Sequence, residues 1–178
     1  MRITSRAIEP YGPIPPKHSC DGAGTNPTLV FADVPTTAKS LALIVFDPDV
    51  PKAIKADGRY LHWALWNLPP TVRTIEEGRG GGLSENGGSG WIPPCPPSGE
   101  HRYVFQVFAL DMTLRDRTVV GEDDLRSAMQ GHVLGQAELV GRYSRQTFSR
   151  LNLVLGGLVV LTFLAVAYRF VRARRPGS

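Results

Sequence analysis

Four polar residues at the ends of apolar strands are the side chains in this sequence that could do chemistry. The stretch G-E-H-R-Y-V-F-Q-V-F-A-L-D, residues 99–111, predicts a strand in which His101 and Tyr103 share a face, because strand side chains alternate. Asp47 follows the apolar run S-L-A-L-I-V-F, and His62 lies early in Y-L-H-W-A-L-W-N-L. If these strands are neighbours, the four groups converge in an apolar pocket, which is the usual form of a small-ligand site.

These four residues allow more than one chemistry. Two imidazoles and a carboxylate suit zinc or iron, but the sequence lacks a close-spaced ligand pair such as H-x-H or H-E-x-x-H. The second interpretation is an oxyanion pocket, in which imidazole N–H and phenol O–H groups donate hydrogen bonds to a phosphate or carboxylate. In that pocket Asp47 would fix the histidine tautomer. We favour the anion pocket, with neither metal nor cofactor.

A hydrolase is the third interpretation, and it would need a nucleophile near these residues. Ser89, Cys95 and Ser98 lie in the loop before the His101 strand, but none has the sequence context of a nucleophile elbow. We therefore predict a binding protein rather than an enzyme.

Short strands separated by proline and glycine must position the four residues. Apolar runs predict strands at residues 29–31, 40–46 and 60–68; the run 40–46 is apolar without interruption, as in a strand covered on both faces. Residues 78–99 form a loop rich in Gly and Pro, and a loop that long is usually functional or mobile.

The periodicity changes after the His101 strand. The acidic run Glu122-Asp123-Asp124 and the spacing of the apolar residues behind it predict a helix. The run H-V-L-G-Q-A-E-L-V-G-R-Y, which follows Gly131, predicts that helix continues towards the C-terminal segment.

The charge distribution argues against a nucleic-acid partner. The 178-residue chain has a pI of about 9.3. Up to Arg150, however, acidic and basic residues balance at 16 each, and the excess is four arginines at the C-terminus. A surface able to neutralise many phosphates is therefore not evident.

The C-terminal segment predicts a membrane anchor. Residues 151–171 read L-N-L-V-L-G-G-L-V-V-L-T-F-L-A-V-A-Y-R-F-V, with no charge before Arg169, which fits the ~20 residues of a spanning helix. A buried core helix of this length would show a polar stripe. We predict a domain at residues 1–146, a transmembrane helix with its lead-in at 147–171 and a basic tail at 172–178.

The orientation of this anchor rests on weaker signals, because arginines flank the span on both sides. The N-terminus, M-R-I-T-S-R-A-I-E-P-Y-G-P, lacks the apolar core of a secretory signal peptide. We expect a single-pass C-terminal anchor with the domain in the cytoplasm. The cysteines add little, because two residues, Cys20 and Cys95, make neither a zinc framework nor a disulfide scaffold, and whether they are bridged stays open.

The chain contains several distinctive motifs in order: C-D-G (20–22), S-L-A-L-I-V (40–45), D-P-D-V-P (47–51), L-H-W-A-L-W-N-L-P (61–69), P-C-P-P with G-E-H-R-Y (94–103), and A-M-Q-G-H-V-L-G-Q-A-E-L-V-G-R-Y (128–143). Together these motifs resemble the phosphatidylethanolamine-binding protein family. The similarity covers about residues 10–145 and is greatest to the short bacterial members, often described as Raf kinase inhibitor-like.

The resemblance implies a mainly β fold, an antiparallel β-sandwich with a few helices, to which this chain adds its transmembrane helix. It implies a small anion-binding pocket at Asp47, His62, His101 and Tyr103. The D-P-D turn adds Pro48 and Asp49 to these ligand-binding positions. The family usually has glycine where this chain has Pro93, so we include Pro93 and expect an altered anion cradle, since proline offers no N–H and more bulk.

The function expected from the resemblance is binding of a phosphate-bearing or other small anionic ligand, with a phospholipid headgroup among the candidates. The second hypothesis is a protein-interaction module, resembling a kinase or protease inhibitor, whose pocket surface docks a partner protein. Shared fold is a firmer inference than shared function.

Overall fold

The computed structural model describes residues 1–114 and 119–145, in which apolar alternating runs form strands. The strands are β1 (Arg2–Ser5), β2 (Leu29–Ala32), β3 (Ser40–Asp47), β4 (Tyr60–Leu68), β5 (Thr74–Ile75), β6 (Glu100–Leu110) and β7 (Val133–Ser144). Helix α1 spans Glu122–Met129, and short 3₁₀ turns lie at Pro16–His18 and Glu85–Gly87.

The strands form two antiparallel sheets. The smaller sheet has the order β1-β2-β5 and the larger has the order β4-β3-β6-β7. Strand β3 lies between β4 and β6, with Asp47 opposite Tyr60 and Phe46 opposite Val104. The C-terminal end of β3 therefore lies beside the N-terminal ends of β4 and β6, at one end of the larger sheet.

The larger sheet is covered on both faces. An inter-sheet core joins it to the smaller sheet and includes Leu43, Trp63 and Phe105. A helix-side core on the opposite face includes Ile44 and Leu125, the latter from α1. Every residue of β3 is buried, as the uninterrupted apolar run of this strand predicted.

The prediction of a mainly β fold with antiparallel sheets is confirmed, and the strand predicted at 60–68 has those bounds. The helix that begins in the acidic run at Glu122 is also confirmed. Strands β1 and β5 were not predicted; they are four and two residues long, which is too short for a clear alternation.

The prediction that the chain stays helical after Gly131 is wrong. Residues Val133–Ser144 form strand β7, which pairs with β6 from Glu100 opposite Ser144 to Leu110 opposite Val133. The pairing with β6 makes this stretch a strand, and its successive residues face opposite sides of the sheet: Leu139 lies in the inter-sheet core and Val140 in the helix-side core.

The predicted transmembrane helix, at residues 151–171, lies outside the described residues, as does the basic tail. Within 1–114 and 119–145, no helix is long and apolar enough to cross a bilayer.

Candidate anion-binding pocket

The four predicted polar residues line one cavity of about 300 Å³, at the end of the larger sheet where β3 finishes and β4 and β6 begin. Asp47 ends β3, His62 is near the start of β4, and His101 and Tyr103 are near the start of β6. All four side chains are buried, with Tyr103 fully so.

Asp47 orients His101. The Asp47 Oδ2 atom accepts a hydrogen bond from His101 Nδ1 at 2.7 Å, and both side chains are buried. The other carboxylate oxygen, Oδ1, accepts from the Asp49 backbone N–H at 2.7 Å, which closes a turn around Pro48. Because Nδ1 is bound to the carboxylate, the Nε2 atom of His101 is left for a ligand.

His62 is held by the loop that faces it. Its Nδ1 donates to the Ile92 carbonyl at 2.7 Å, and the Ile92 N–H donates back to the His62 carbonyl at 2.9 Å. Burial lowers the pKa of His62 below its usual value, although the Ile92 carbonyl and the charge of Asp47 oppose this shift. The ring is therefore neutral at pH 7 and keeps a lone pair on Nε2.

Tyr103 supplies a hydroxyl that is not satisfied within the described part of the chain. The hydroxyl oxygen is buried and has no hydrogen-bond partner there. Burial, followed by the nearby charge of Asp47, raises the pKa of Tyr103 above its usual value. The Cys95 backbone N–H opposes this rise but is not in hydrogen-bonding geometry. The phenol therefore stays protonated and can donate to a ligand.

A proline-rich loop forms one wall of the pocket, and we call residues 92–97, I-P-P-C-P-P, the pocket wall. A disulfide between Cys20 and Cys95 fixes it, with the two Cα atoms 5.4 Å apart. The Cys20 N–H also donates to the Pro94 carbonyl at 3.0 Å. The bridge that the sequence left open is thus formed in the structure.

The loop that carries Cys20 is itself anchored on the larger sheet. Ser19 Oγ donates to the Tyr143 hydroxyl, which donates to Asp21 Oδ2, each at 2.7 Å. Gly22 allows this loop to fold closely, because a Cβ there would lie 2.3 Å from the Pro16 carbonyl oxygen. The C-D-G motif therefore positions the disulfide beside the pocket.

The structure separates the remaining predicted site residues. Pro93 lines the cavity, whereas Pro48 and Asp49 do not. The Asp49 carboxylate instead binds the Arg102 guanidinium, at 2.6 Å between Oδ1 and Nη2, and Arg102 lowers the pKa of Asp49.

Sequence reasoning missed seven lining residues: Val50, Ile54, Tyr60, Ile92, Cys95, Pro96 and Pro97. The alternation of β4 could have indicated Tyr60, since it shares a face with His62. The others lie in loops, where sequence periodicity carries no signal. Among the described residues, no group of three or more His, Cys, Asp or Glu side chains could hold a metal.

The chain matches known proteins along the region that builds this pocket. A family model described as phosphatidylethanolamine-binding protein matches residues 4–144. A UPF0098 protein of Chlamydia trachomatis is 46% identical over 149 residues, which cover 82% of this chain and 99% of the relative.

Two crystal structures share the fold. A phosphatidylethanolamine-binding protein homologue from Chlamydia trachomatis superposes with a TM-score of 0.77 at 45% identity, covering 82% of this chain and 97% of the homologue. Escherichia coli YbcL, described as a new member of the mammalian family, gives 0.73 at 25% identity, covering 82% and 98%.

Proposed function

Because the chain belongs to the phosphatidylethanolamine-binding protein family, we propose that its pocket binds a phosphate-bearing or other small anionic ligand without catalysing its conversion. The observation that carries the proposal is the Tyr103 hydroxyl, which is buried at the pocket without a partner among the described residues. Leaving such a group unpaired costs about 1–3 kcal/mol, and a ligand oxygen would remove that penalty.

The surroundings of Tyr103 support the same proposal. The Nδ1 atoms of His62 and His101 are engaged by Ile92 and Asp47, so each ring has its Nε2 atom left for the cavity that both line. The lining is otherwise mostly apolar, which lowers the local dielectric and strengthens each hydrogen bond to a bound ligand. A cavity of about 300 Å³ accommodates a small headgroup.

We propose further that residues 151–171 anchor this domain to a membrane as a single-pass helix. The sequence supports this proposal, because residues 151–168 contain no charged side chain and a basic tail follows the segment. An anchored pocket would meet phosphorylated headgroups at high local concentration. Full-length protein is expected in the membrane fraction after carbonate washing, and its presence in the wash would contradict the anchor.

The side of the membrane is a separate question. The sequence predicts a cytoplasmic domain, whereas the Cys20–Cys95 disulfide favours an oxidising compartment, because cytosolic thiols are kept reduced. Protease protection of a C-terminal tag in sealed vesicles, compared with protection of the domain, distinguishes the two placements.

A protein-interaction module is the second candidate function. Ile54 lies at the cavity and is 66% exposed, and large exposed apolar residues beside a pocket are typical of docking surfaces. If binding of a partner protein is unaffected by phosphate and by His101→Ala, the pocket is not its docking surface.

The direct test is titration of the full-length protein with phosphoethanolamine while the ring resonances of His62 and His101 are followed by NMR. Saturable shifts of both histidines, lost in Asp47→Ala, are expected. The ³¹P spectrum should show the ligand unchanged after prolonged incubation. Histidine resonances that do not move at any concentration would contradict anion binding and leave the interaction module as the leading candidate.

A further inference from the structure

The hydrogen bond of His62 decides which kind of anion the pocket can accept. Its partner, the Ile92 carbonyl oxygen, can only accept a hydrogen bond, so Nδ1 must carry a proton. In the neutral ring Nε2 then has a lone pair and no proton. A ligand at this position must donate a hydrogen bond to Nε2 or leave it unpaired.

Burial keeps the His62 ring neutral against the charges of its neighbours. Asp47 from β3 and Glu85 from the 3₁₀ turn favour its charged form, while His101 from β6 opposes it, and burial outweighs them. The Tyr103 ring from β6 contacts the imidazole edge-on, with centroids 5.1 Å apart. The neighbouring rings of Tyr60 and Trp91 complete the contacts, at centroid distances of 5.1 and 6.3 Å.

No lysine or arginine among the described residues lines the cavity. Lys55, whose Nζ lies 5.9 Å from the centre of the Tyr60 ring, pairs with Glu85, and Arg102, which follows His101 in β6, pairs with Asp49. Even when His101 is protonated, its charge only offsets that of Asp47. The pocket therefore offers the Tyr103 hydroxyl as a donor and the Nε2 atom of His62 as an acceptor, with the Nε2 atom of His101 beside them, but no net positive charge for a dianion.

We propose that the pocket selects an oxyanion that retains one acidic proton, a phosphomonoester monoanion above all, whose P–OH group donates to Nε2 of His62. The inference rests on the proposed anion-binding function and names the ligand class of that site. Tyr103 donates to an unprotonated oxygen of the same group. A phosphodiester carries no such proton, and neither does sulfate or a monoester dianion, so each of them leaves the His62 lone pair facing an oxygen.

This selection has a quantitative signature in pH. The second pKa of a phosphomonoester is about 6, so the monoanion falls from about half of the total at pH 6 to about one hundredth at pH 8. If only the monoanion binds, the apparent Kd of methyl phosphate rises about fifty-fold over this interval. Dimethyl phosphate and sulfate, which do not titrate there, are expected to bind weakly throughout.

The experiment compares methyl phosphate, methylphosphonate, dimethyl phosphate and sulfate on the full-length protein by calorimetry between pH 5.5 and 8.5. Because methylphosphonate has the higher second pKa, its affinity is expected to decline at a higher pH than that of methyl phosphate. If the affinity for both probes declined at the same pH, the titrating proton would belong to a group of the protein and not to the ligand. That result would overturn the inference. Equal binding of methyl and dimethyl phosphate at pH 6 would also overturn it.

A variant pair tests the role of His62 itself. His62→Gln places an amide near the position of Nε2 that can donate as well as accept, so the preference for methyl over dimethyl phosphate is expected to collapse. His132→Gln is the matched control, because His132 pairs with Asp111 at the opposite end of β6 and should keep the full preference. An unchanged preference in His62→Gln would contradict the proposal.

Failure of the proposed function would look different. If none of the four probes bound at any pH, the anion-binding proposal would fall, and this inference with it. The wild-type comparison of the two titrating probes does not depend on a variant that folds.

Discussion

The two sides of the pocket are built by different means. The side formed by Asp47, His62, His101 and Tyr103, which we call the pocket floor, belongs to strands buried between two cores. The pocket wall, residues 92–97, contains four prolines, which have no N–H to donate. Strand pairing therefore fixes the floor, whereas the wall is held by two backbone hydrogen bonds, by the bond from His62 Nδ1 to the Ile92 carbonyl and by one disulfide.

This difference means that the polar chemistry and the shape of the pocket can be perturbed separately. Changes in the floor should affect the stability of the whole domain, because its residues lie on three of the four strands of the larger sheet. Changes in the wall should alter local opening first, since few interactions hold it.

The largest effect is expected beneath the floor. Phe105 is fully buried in β6 and stacks on Trp91, with ring centroids 6.2 Å apart. Phe105→Ala should lower the free energy of unfolding by about 3–5 kcal/mol, through lost burial and the cavity left behind. Denaturant unfolding followed by tryptophan fluorescence measures this change.

Ile54→Ala is the control for that prediction. Ile54 is 66% exposed, so its truncation should change the free energy of unfolding by less than about 0.5 kcal/mol. Equal destabilisation by the two variants would mean that burial does not distinguish Phe105, beneath the floor, from the exposed Ile54.

Reduction of the disulfide is the next largest perturbation. Cys20 and Cys95 are 75 residues apart, and loss of such a bridge typically lowers the free energy of unfolding by about 2–4 kcal/mol. Hydrogen exchange should show where the structure opens. The Ile92 amide should lose protection, while the amide of Ile44, in the centre of β3, should keep most of its protection.

The double variant Cys20→Ser/Cys95→Ser provides the matching control, since its exchange should be the same with and without a dithiol reductant. Equal acceleration at Ile92 and Ile44 on reduction would mean that wall and floor open together. In that case the disulfide would support the domain as a whole rather than the pocket wall.

Acid should act on the floor through His62. Burial lowers its folded pKa below the value of about 6.5 expected in the unfolded chain, so the unfolded state binds the proton more readily. This contribution to stability is complete above pH 6.5 and is lost as pH falls towards the folded pKa. Denaturant unfolding between pH 7.5 and 5 measures the slope.

His62→Gln should flatten that slope, because the variant has no imidazole to titrate at this position. An identical slope in wild type and His62→Gln would show that other groups dominate acid destabilisation in this range.

The floor was more predictable from sequence than the wall, for a physical reason. Strand alternation puts His101 and Tyr103 on one face, and an apolar run ending in Asp47 indicates a strand end, so local patterns suffice. The wall has no period, and its path is set by a bridge between two distant cysteines. Sequence could not decide whether that bridge forms.

The same reasoning explains why β7 was predicted as a helix. One face of β7 includes Gly135 and Gly141 and the other includes Glu138 and Arg142, so the apolar residues of this stretch do not alternate clearly with polar ones. A glycine is needed at 141, where a Cβ would lie 2.7 Å from Ile14 Cγ1. Pairing with β6 and backbone hydrogen bonds with the N-terminal segment hold this stretch as a strand, and a local pattern contains neither.

The smallest effect is expected at Asp49, which shares the D-P-D turn with Asp47 but binds Arg102 at the surface. Asp49→Asn should lower the free energy of unfolding by only about 0.2–1 kcal/mol, because the Asn oxygen can still accept the Arg102 backbone N–H and the lost ion pair is with a half-exposed guanidinium. Since its carboxylate does not line the cavity, the Kd for methyl phosphate should stay near the wild-type value.

Asp47→Asn, two residues earlier, should weaken the same binding about tenfold, because it removes the carboxylate that orients His101. Calorimetry on the two variants at pH 6 makes the comparison. A large loss of affinity in Asp49→Asn would show that the turn, and not only the strand ends, belongs to the binding site. The ligand would then also contact the turn at residues 48–50. The binding site would have three parts: the floor, the wall and this turn.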